Sequence, residues 1–330
     1  MNGKKPWKLT EGFLIGAGLI IVGLMLQLSI GPIHWSLFAW PVNIIVLAVL
    51  LLIIGVVFFL RKRVYACQFL GTYAAAVPAL CYAVGLTVVM GLVRQVAPSS
   101  PEEENLWLHD MLTFWPFVLI YTYIVLILGL VICKRWMSMR RYDFVGNVSR
   151  ILPFLLNHLG LFIALTTATL GNADMQRLQM WTTNNPEMAN MFSGADVFHQ
   201  YERFAMDDAG LKHELPLAIE LKRFIMEMYD DNITPRRYAS EVIIYSKSSL
   251  HQYAATIDVN KPVEVDGWKV YQKDYRLTEA GDACQISILE LVSDPWLPWV
   301  YAGIFMMLVG ALLLLFQGRK TVSSSNRLTV

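Results

Sequence analysis

The chain has 330 residues, 55% hydrophobic and 16% charged, with a formal net charge of +1 and a mean hydropathy of +0.45. Soluble domains carry about 25% charged residues, so an ordinary soluble globule is excluded, and a near-neutral chain has no global field with which to hold nucleic acid. Cys67, Cys81, Cys133 and Cys284 show neither CxxC nor metal-ligand spacing, and the lack of CxxCH excludes a c-type cytochrome with covalently held haem.

The apolar residues fall into blocks of about 20, the length that crosses roughly 30 Å of hydrocarbon at 1.5 Å per residue. The first, about 12–30 ("GFLIGAGLIIVGLMLQLSI"), has no small-residue cleavage site and is expected to stay as an anchor. Further runs follow at about 38–60, 70–93, 113–133, 151–171 and 297–317. Only helices or closed barrels satisfy their backbone in lipid, and runs this long mean helices. Asn43 and Tyr123 are expected to make helix–helix contacts, and Pro41, Pro78 and Pro116 to kink their spans.

The loops set the orientation. Lys4, Lys5 and Lys8 precede the first run, Arg61–Arg63 follow the second, Lys134–Arg141 follow the fourth, and Arg319 and Lys320 follow the sixth. All these clusters fall on one side, which the positive-inside rule makes cytoplasmic. Both termini are then cytoplasmic, and the segment 172–296 lies outside. Its second half alternates like half-buried strands. Leu217, Ile219 and Leu221 share a face of "PLAIELKRF", "EVIIYS" and "ATIDVN" continue the pattern, Asp266-Gly267 marks a turn before "WKVYQKDY", and "CQISILELV" supplies one more strand. The part from about 172 to 213 is poor in pattern and reads as an irregular or mobile lead-in. Trp296 and Trp299 stand where interfacial tryptophans belong, ahead of the last span.

The expected architecture is a polytopic α-helical membrane protein of about six transmembrane helices with a small antiparallel β-rich external domain before the last helix. In residues, 1–171 is a membrane domain with five transmembrane helices, 172–296 an extracytoplasmic β-rich domain, and 297–330 the final helix and a cytoplasmic tail.

There is no Walker loop, GxSxG, HExxH or dinucleotide fingerprint. Carboxylates do not recur within the spans, which argues against an ion-driven pump. Of the histidines, His34 and His109 fall in external loops, and His199, His213 and His251 in the external domain, where solvated side chains are the ordinary reading. His158 differs, because it lies about seven residues, or roughly 10 Å, into an apolar helix. An ionisable group there costs free energy unless partnered. A hydrogen bond that glues neighbouring helices, a proton relay, and an axial ligand to a haem held between helices all answer that requirement.

Three stretches occur together: "LLNHLGLFIAL" leading into the external domain, "ATIDVNKPVEVDGWKVYQKDY" within it, and "SDPWLPWVYAGIFMMLVGALLLLF" leaving it. In these the chain resembles the ResB/CcsB family of cytochrome c biogenesis membrane proteins, in its compact Bacteroidetes-type form. The resemblance implies a bacterial inner-membrane subunit, non-catalytic or co-catalytic, of a cytochrome c haem lyase. Such a subunit helps carry haem b across the membrane and attach it to apocytochrome c. It implies a CcsA-like partner with a tryptophan-rich haem-binding segment, which this chain lacks, its ten tryptophans being dispersed. His158 stands at the place of the family's histidine, and the resemblance gives it the role of transmembrane ligand to the haem iron. Two readings from other classes stand beside this one: a small-molecule or ion transporter, and a membrane-anchored ligand-binding or structural envelope protein.

Overall fold

The computed structural model describes residues 7–95, 107–139, 144–184, 202–207, 210–230, 235–277 and 285–325. Two compact units divide the chain: Met1–Asp174 with Trp296–Val330, and Met175–Pro295.

The first unit is helical. Its elements are α1 (Leu9–Ile30), α2 (Val42–Leu60), the single turn α3 (Tyr65–Phe69), α4 (Tyr73–Leu92), α5 (Trp115–Met139), α6 (Phe144–Gly171) and α7 (Leu297–Ser325). All but α3 are long and apolar enough to cross a membrane. Their outward faces are apolar too: Leu92 is 82% exposed and Phe59 78%, a surface that water would penalise and lipid accepts. The chain is therefore a polytopic, multi-pass α-helical membrane protein, with a β-rich unit ahead of its last span. The second span starts later than the apolar run does, because Trp35–Phe38 forms a 3₁₀ turn and Pro41 precedes α2. Pro116 is the second residue of α5. Neither Pro41 nor Pro116 kinks a span as expected. Both stand at a helix start, where the missing N–H has no intrahelical partner to lose. Pro78 and Pro153 are the prolines inside helices α4 and α6.

Apolar side chains fill two cores between the spans. Ile54 and Phe58 of α2 meet Val125 and Leu128 of α5 and Phe162 of α6. Ala74, Ala75 and Ala79 of α4 meet Tyr123 and Ile127 of α5. Tyr123 contributes its ring there, and its hydroxyl has no hydrogen-bond partner among the described residues. The helices α6 and α7 touch backbone to backbone. A Cβ built on Gly303 would stand 2.6 Å from the Gly160 carbonyl oxygen and from the Ala164 nitrogen, and one on Gly310 would stand 2.6 Å from the Asn157 nitrogen. Small residues permit this approach, which within lipid replaces hydrophobic driving force by close packing.

The second unit is one antiparallel sheet. Its strands are β1 (Gln176–Thr183), β2 (Glu202–Met206), β3 (Lys212–Met228), β4 (Pro235–Ser246), β5 (Gln252–Asp258), β6 (Val263–Val265), β7 (Trp268–Leu277) and β8 (Gln285–Ser293), in the order β5-β4-β3-β2-β1-β8-β7-β6. The alternation read in the sequence is present: Leu215, Leu217, Ile219 and Leu221 are all buried. At Lys222 the β3–β4 register shifts, and the next buried residue is Phe224. An extra residue of this kind reverses which parity faces inward. Asp266 and Gly267 have φ of 51° and 78°, and Val265 pairs with Trp268 across them. Two successive positive φ values define the type I′ hairpin that Asp-Gly favours. The supposed irregular lead-in is corrected by β1, which pairs along its length with β8 from Gln176–Ser293 to Thr183–Ile286, and by β2. The rest of that stretch lies outside the described residues, and Cys284 does as well.

The sheet curls until its halves meet. Leu217, Val242 and Ile257 from one half share a core with Met180, Trp268, Val270 and Leu289 from the other. A buried polar knot crosses the same space. The hydroxyl of Ser240 on β4 donates to Gln272 Oε1 on β7 at 2.6 Å and lies 2.7 Å from Ser287 Oγ on β8, while Gln272 Nε2 donates to Ser287 Oγ at 3.0 Å. Buried polar groups persist when they are paired in this way.

Candidate functional site

His158 projects from α6, with the 21 residues Ile151–Gly171 forming the apolar span. Its Nδ1 lies 2.9 Å from the carbonyl oxygen of Phe154, one turn earlier. A carbonyl only accepts, so Nδ1 carries a proton, which in the neutral imidazole leaves the lone pair on Nε2. The imidazole also stacks on the Phe154 ring, with centroids 3.7 Å apart and planes at 24°. The guanidinium of Arg135 at the end of α5 also lies over that ring, 5.4 Å from its centroid. One face of the imidazole is thus covered by an aromatic ring, its tautomer is fixed from inside its own helix, and the side chain is half-buried. The hydrogen bond of Nδ1 does not cross to a neighbouring helix, and Nε2 has no hydrogen-bond partner among the described residues. In its neutral form this imidazole directs Nε2 as a nitrogen donor, the form in which imidazole coordinates iron.

Helical spacing puts His158 on the stripe of Phe162 and Thr169, at i, i+4 and i+11. Tyr121 of α5 fastens that side of α6, its hydroxyl donating to the Leu165 carbonyl at 3.0 Å. Asn157, the neighbour in sequence, faces α7 at Gly310 instead. Asn157 and His158 therefore serve different contacts despite their adjacency.

Within the helical unit, neither His34 nor His109 joins His158. His34 precedes the 3₁₀ turn Trp35–Phe38, and its carbonyl accepts from Leu37 N at 3.1 Å. His109 donates from Nδ1 to the Arg94 carbonyl at 2.9 Å. His213 lies 2.8 Å from Asp207 on an exposed part of the sheet. His251 donates to the Ser249 carbonyl at 2.6 Å. His199 lies outside the described residues. Among the described residues, three or more His, Cys, Asp or Glu side chains nowhere gather as a metal site.

A second constellation escaped sequence reasoning. Asp174, just past α6, accepts at Oδ1 from the backbone N–H of Trp40 at 2.7 Å. Its Oδ2 accepts from Asn43 Nδ2 at 2.7 Å and from Trp296 Nε1 at 2.7 Å. Asn43 also reaches the Leu170 carbonyl at 3.4 Å. The start of α2, the end of α6 and the entry to α7 are tied at one carboxylate. Burial pushes that carboxyl up, but the hydrogen bonds from Trp40, Trp296 and Asn43 outweigh it and hold its pKa below the ordinary range. Trp296 is thus turned inward, packed on Gly171, whereas Trp299 is 62% exposed. A single aspartate after an apolar run looks like any loop charge, so no sequence signal marked it.

The model of the ResB-like family matches residues 146–290, which takes in most of α6 with His158 and the sheet as far as β8. Over that stretch the chain is similar to the ResB-like family. Protein NrfI of Wolinella succinogenes is 30% identical over 98 residues, covering 30% of this chain and 10% of that protein. The chain thus spans about a tenth of the length of that relative. A solved structure of the cytochrome c haem lyase CcmF aligns with 94% of this chain and 46% of its own at 11% identity, with a TM-score of 0.36. A likeness that slight carries no argument.

Proposed function

We infer that this ResB-like protein is one subunit of a haem export and cytochrome c synthase system, with haem b as its cargo and His158 as an axial ligand to the iron during transfer. The observation that carries the reading is the geometry at His158. An ionisable side chain inside an apolar span is held as the Nδ1–H tautomer with its Nε2 lone pair unused, on the helix that opens the ResB-like stretch. Packing glue needs a bond to another helix, and the bond found here stays in α6. A half-buried imidazole leaves room for a second membrane subunit to complete the coordination. In this reading that subunit is a CcsA-like, tryptophan-rich protein, and apocytochrome c is the acceptor. The basic helix ends lie in the cytoplasm, the β-rich unit lies in the periplasm, and the membrane is the bacterial inner membrane.

The test is His158→Ala, His158→Gln and the parent, each co-produced with the partner subunit. The expected result is less haem retained in both variants, an altered haem spectrum in what remains, and partial recovery with added imidazole. Unchanged haem content and spectrum in His158→Ala, with normal cytochrome c maturation, would overturn the assignment. Normal maturation in His158→Gln alone would reduce His158 to a hydrogen-bonding role.

A further inference from the structure

At the basic end of the helical unit, α2, α3 and α5 enclose an open cavity of about 490 Å³. Its rim carries Arg61, Lys62 and Lys134, and its floor carries Phe58 and Leu130, while no carboxylate lines it among the described residues. Arg61 lies flat on the Phe58 ring, with the guanidinium carbon 3.7 Å from the centroid. Its Nη1 is buried and without a hydrogen-bond partner among the described residues. Lys134 makes one long bond, to the Gly71 carbonyl at 3.3 Å. Buried donors are normally satisfied, and each one left bare is costly. Lysine and arginine side chains at a span end ordinarily reach for water, and here Arg61, Lys62 and Lys134 line one cleft with no acid among its described lining residues. The cavity is therefore a cationic cup over an apolar base, placed where the apolar span of α2 ends at Leu60.

We propose that this cavity binds the phosphate headgroup of an anionic phospholipid, with Arg61 and Lys134 as its principal contacts and Lys62 at the rim. An arginine fork matches phosphate oxygens in pairs and lysine adds a mobile point charge. Basic pockets between membrane helices are suited to such headgroups. The apolar floor at Phe58 and Leu130 takes the start of the acyl chains, which a free anion does not possess. A lipid held there braces α2, α3 and α5 against one another at their charged ends. This site is separate from His158 and does not depend on the haem reading.

Native mass spectrometry of the full chain with equal amounts of cardiolipin and phosphatidylcholine tests the proposal. The parent is expected to retain cardiolipin about tenfold over phosphatidylcholine, and Arg61→Gln/Lys134→Gln is expected to lose that preference. The charge-keeping pair Arg61→Lys/Lys134→Arg and the nearby exposed Arg63→Gln keep it. Where the double variant fails to accumulate, Lys62→Gln, which changes an exposed side chain, reports the same loss in weaker form. Equal retention by parent and variant, or equal loss in Arg63→Gln, refutes a specific site. Displacement of cardiolipin by excess inorganic phosphate, or hemin binding that the double variant loses, assigns the cavity to another anion and overturns the phospholipid.

Discussion

Replacing Asp174 by asparagine asks whether one carboxylate holds three helix ends together. Its oxygens accept from Trp40, Asn43 and Trp296, each at 2.7 Å. Hydrogen bonds to a charged group contribute roughly 1.5–3 kcal/mol each, and a buried donor left unpaired costs about 1–3 kcal/mol. Asparagine keeps one acceptor oxygen and turns an NH₂ toward at least one N–H. The donor Asn43 is 0% exposed, so water does not replace what it loses. Asp174 itself is half-buried, which favours the lower end of each range. One lost charge-assisted bond with one orphaned donor then gives about 2.5 kcal/mol of destabilisation for Asp174→Asn. The folded carboxyl is held below its ordinary value of 3.8. Its stabilisation is therefore complete well above that pH and fades as pH falls from there through the folded pKa. Equilibrium unfolding of the full chain in mixed micelles, followed by tryptophan fluorescence at neutral pH and near pH 3, measures both effects. The variant should start less stable and show a smaller acid-dependent step than the parent, the remainder coming from the arginine-paired Asp258 and Glu241. A variant within about 0.5 kcal/mol of the parent, the range of an ordinary surface change, or one with the same acid step, refutes the latch.

The remaining predictions concern packing and orientation. Gly303→Leu drives a side chain into the Gly160 and Ala164 backbone and should lower stability by about 3 kcal/mol or more, whereas Gly18→Leu, with nothing within 4 Å, should not; equal thermal midpoints for the two variants would remove the case for backbone contact between α6 and α7. Trp268→Ala empties a place in the core of the sheet where the tryptophan is 7% exposed. It should cost about 3–5 kcal/mol and make the β-rich unit sensitive to limited proteolysis; parental resistance would put the side chain outside the core. An impermeant maleimide added from outside the cell should label a cysteine placed at exposed Ser248 and not one at Ser138; the reverse pattern inverts the orientation assigned from the basic loops.

The parts of this fold legible in the sequence are those whose cause is local. A span is a matter of apolar length, and Asp266-Gly267 specifies its turn by backbone conformation alone. Residues 215–221 alternate because one face is buried along one strand. The strand β1 was hidden although Leu178, Met180 and Thr182 alternate and are buried, because polar residues without pattern surround it and its partner β8 lies about a hundred residues away. The extra residue at Lys222 was hidden for a related reason: a change of parity inside an apolar strand resembles a weaker strand. The helix pair α6–α7 depends on Gly160 meeting Gly303 and on Asn157 meeting Gly310, and neither helix alone names its partner. The same logic separates the two candidate sites. His158 is visible because its position violates the local rule for a span, and the chemistry it offers rests on a bond to a carbonyl in its own helix. Asp174 obeys the local rule for a span end, and only the fold reveals that its ligands come from Trp40, Asn43 and Trp296. A residue that breaks a local rule advertises itself, whereas one that satisfies the rule and also joins distant segments stays silent until the segments are seen together.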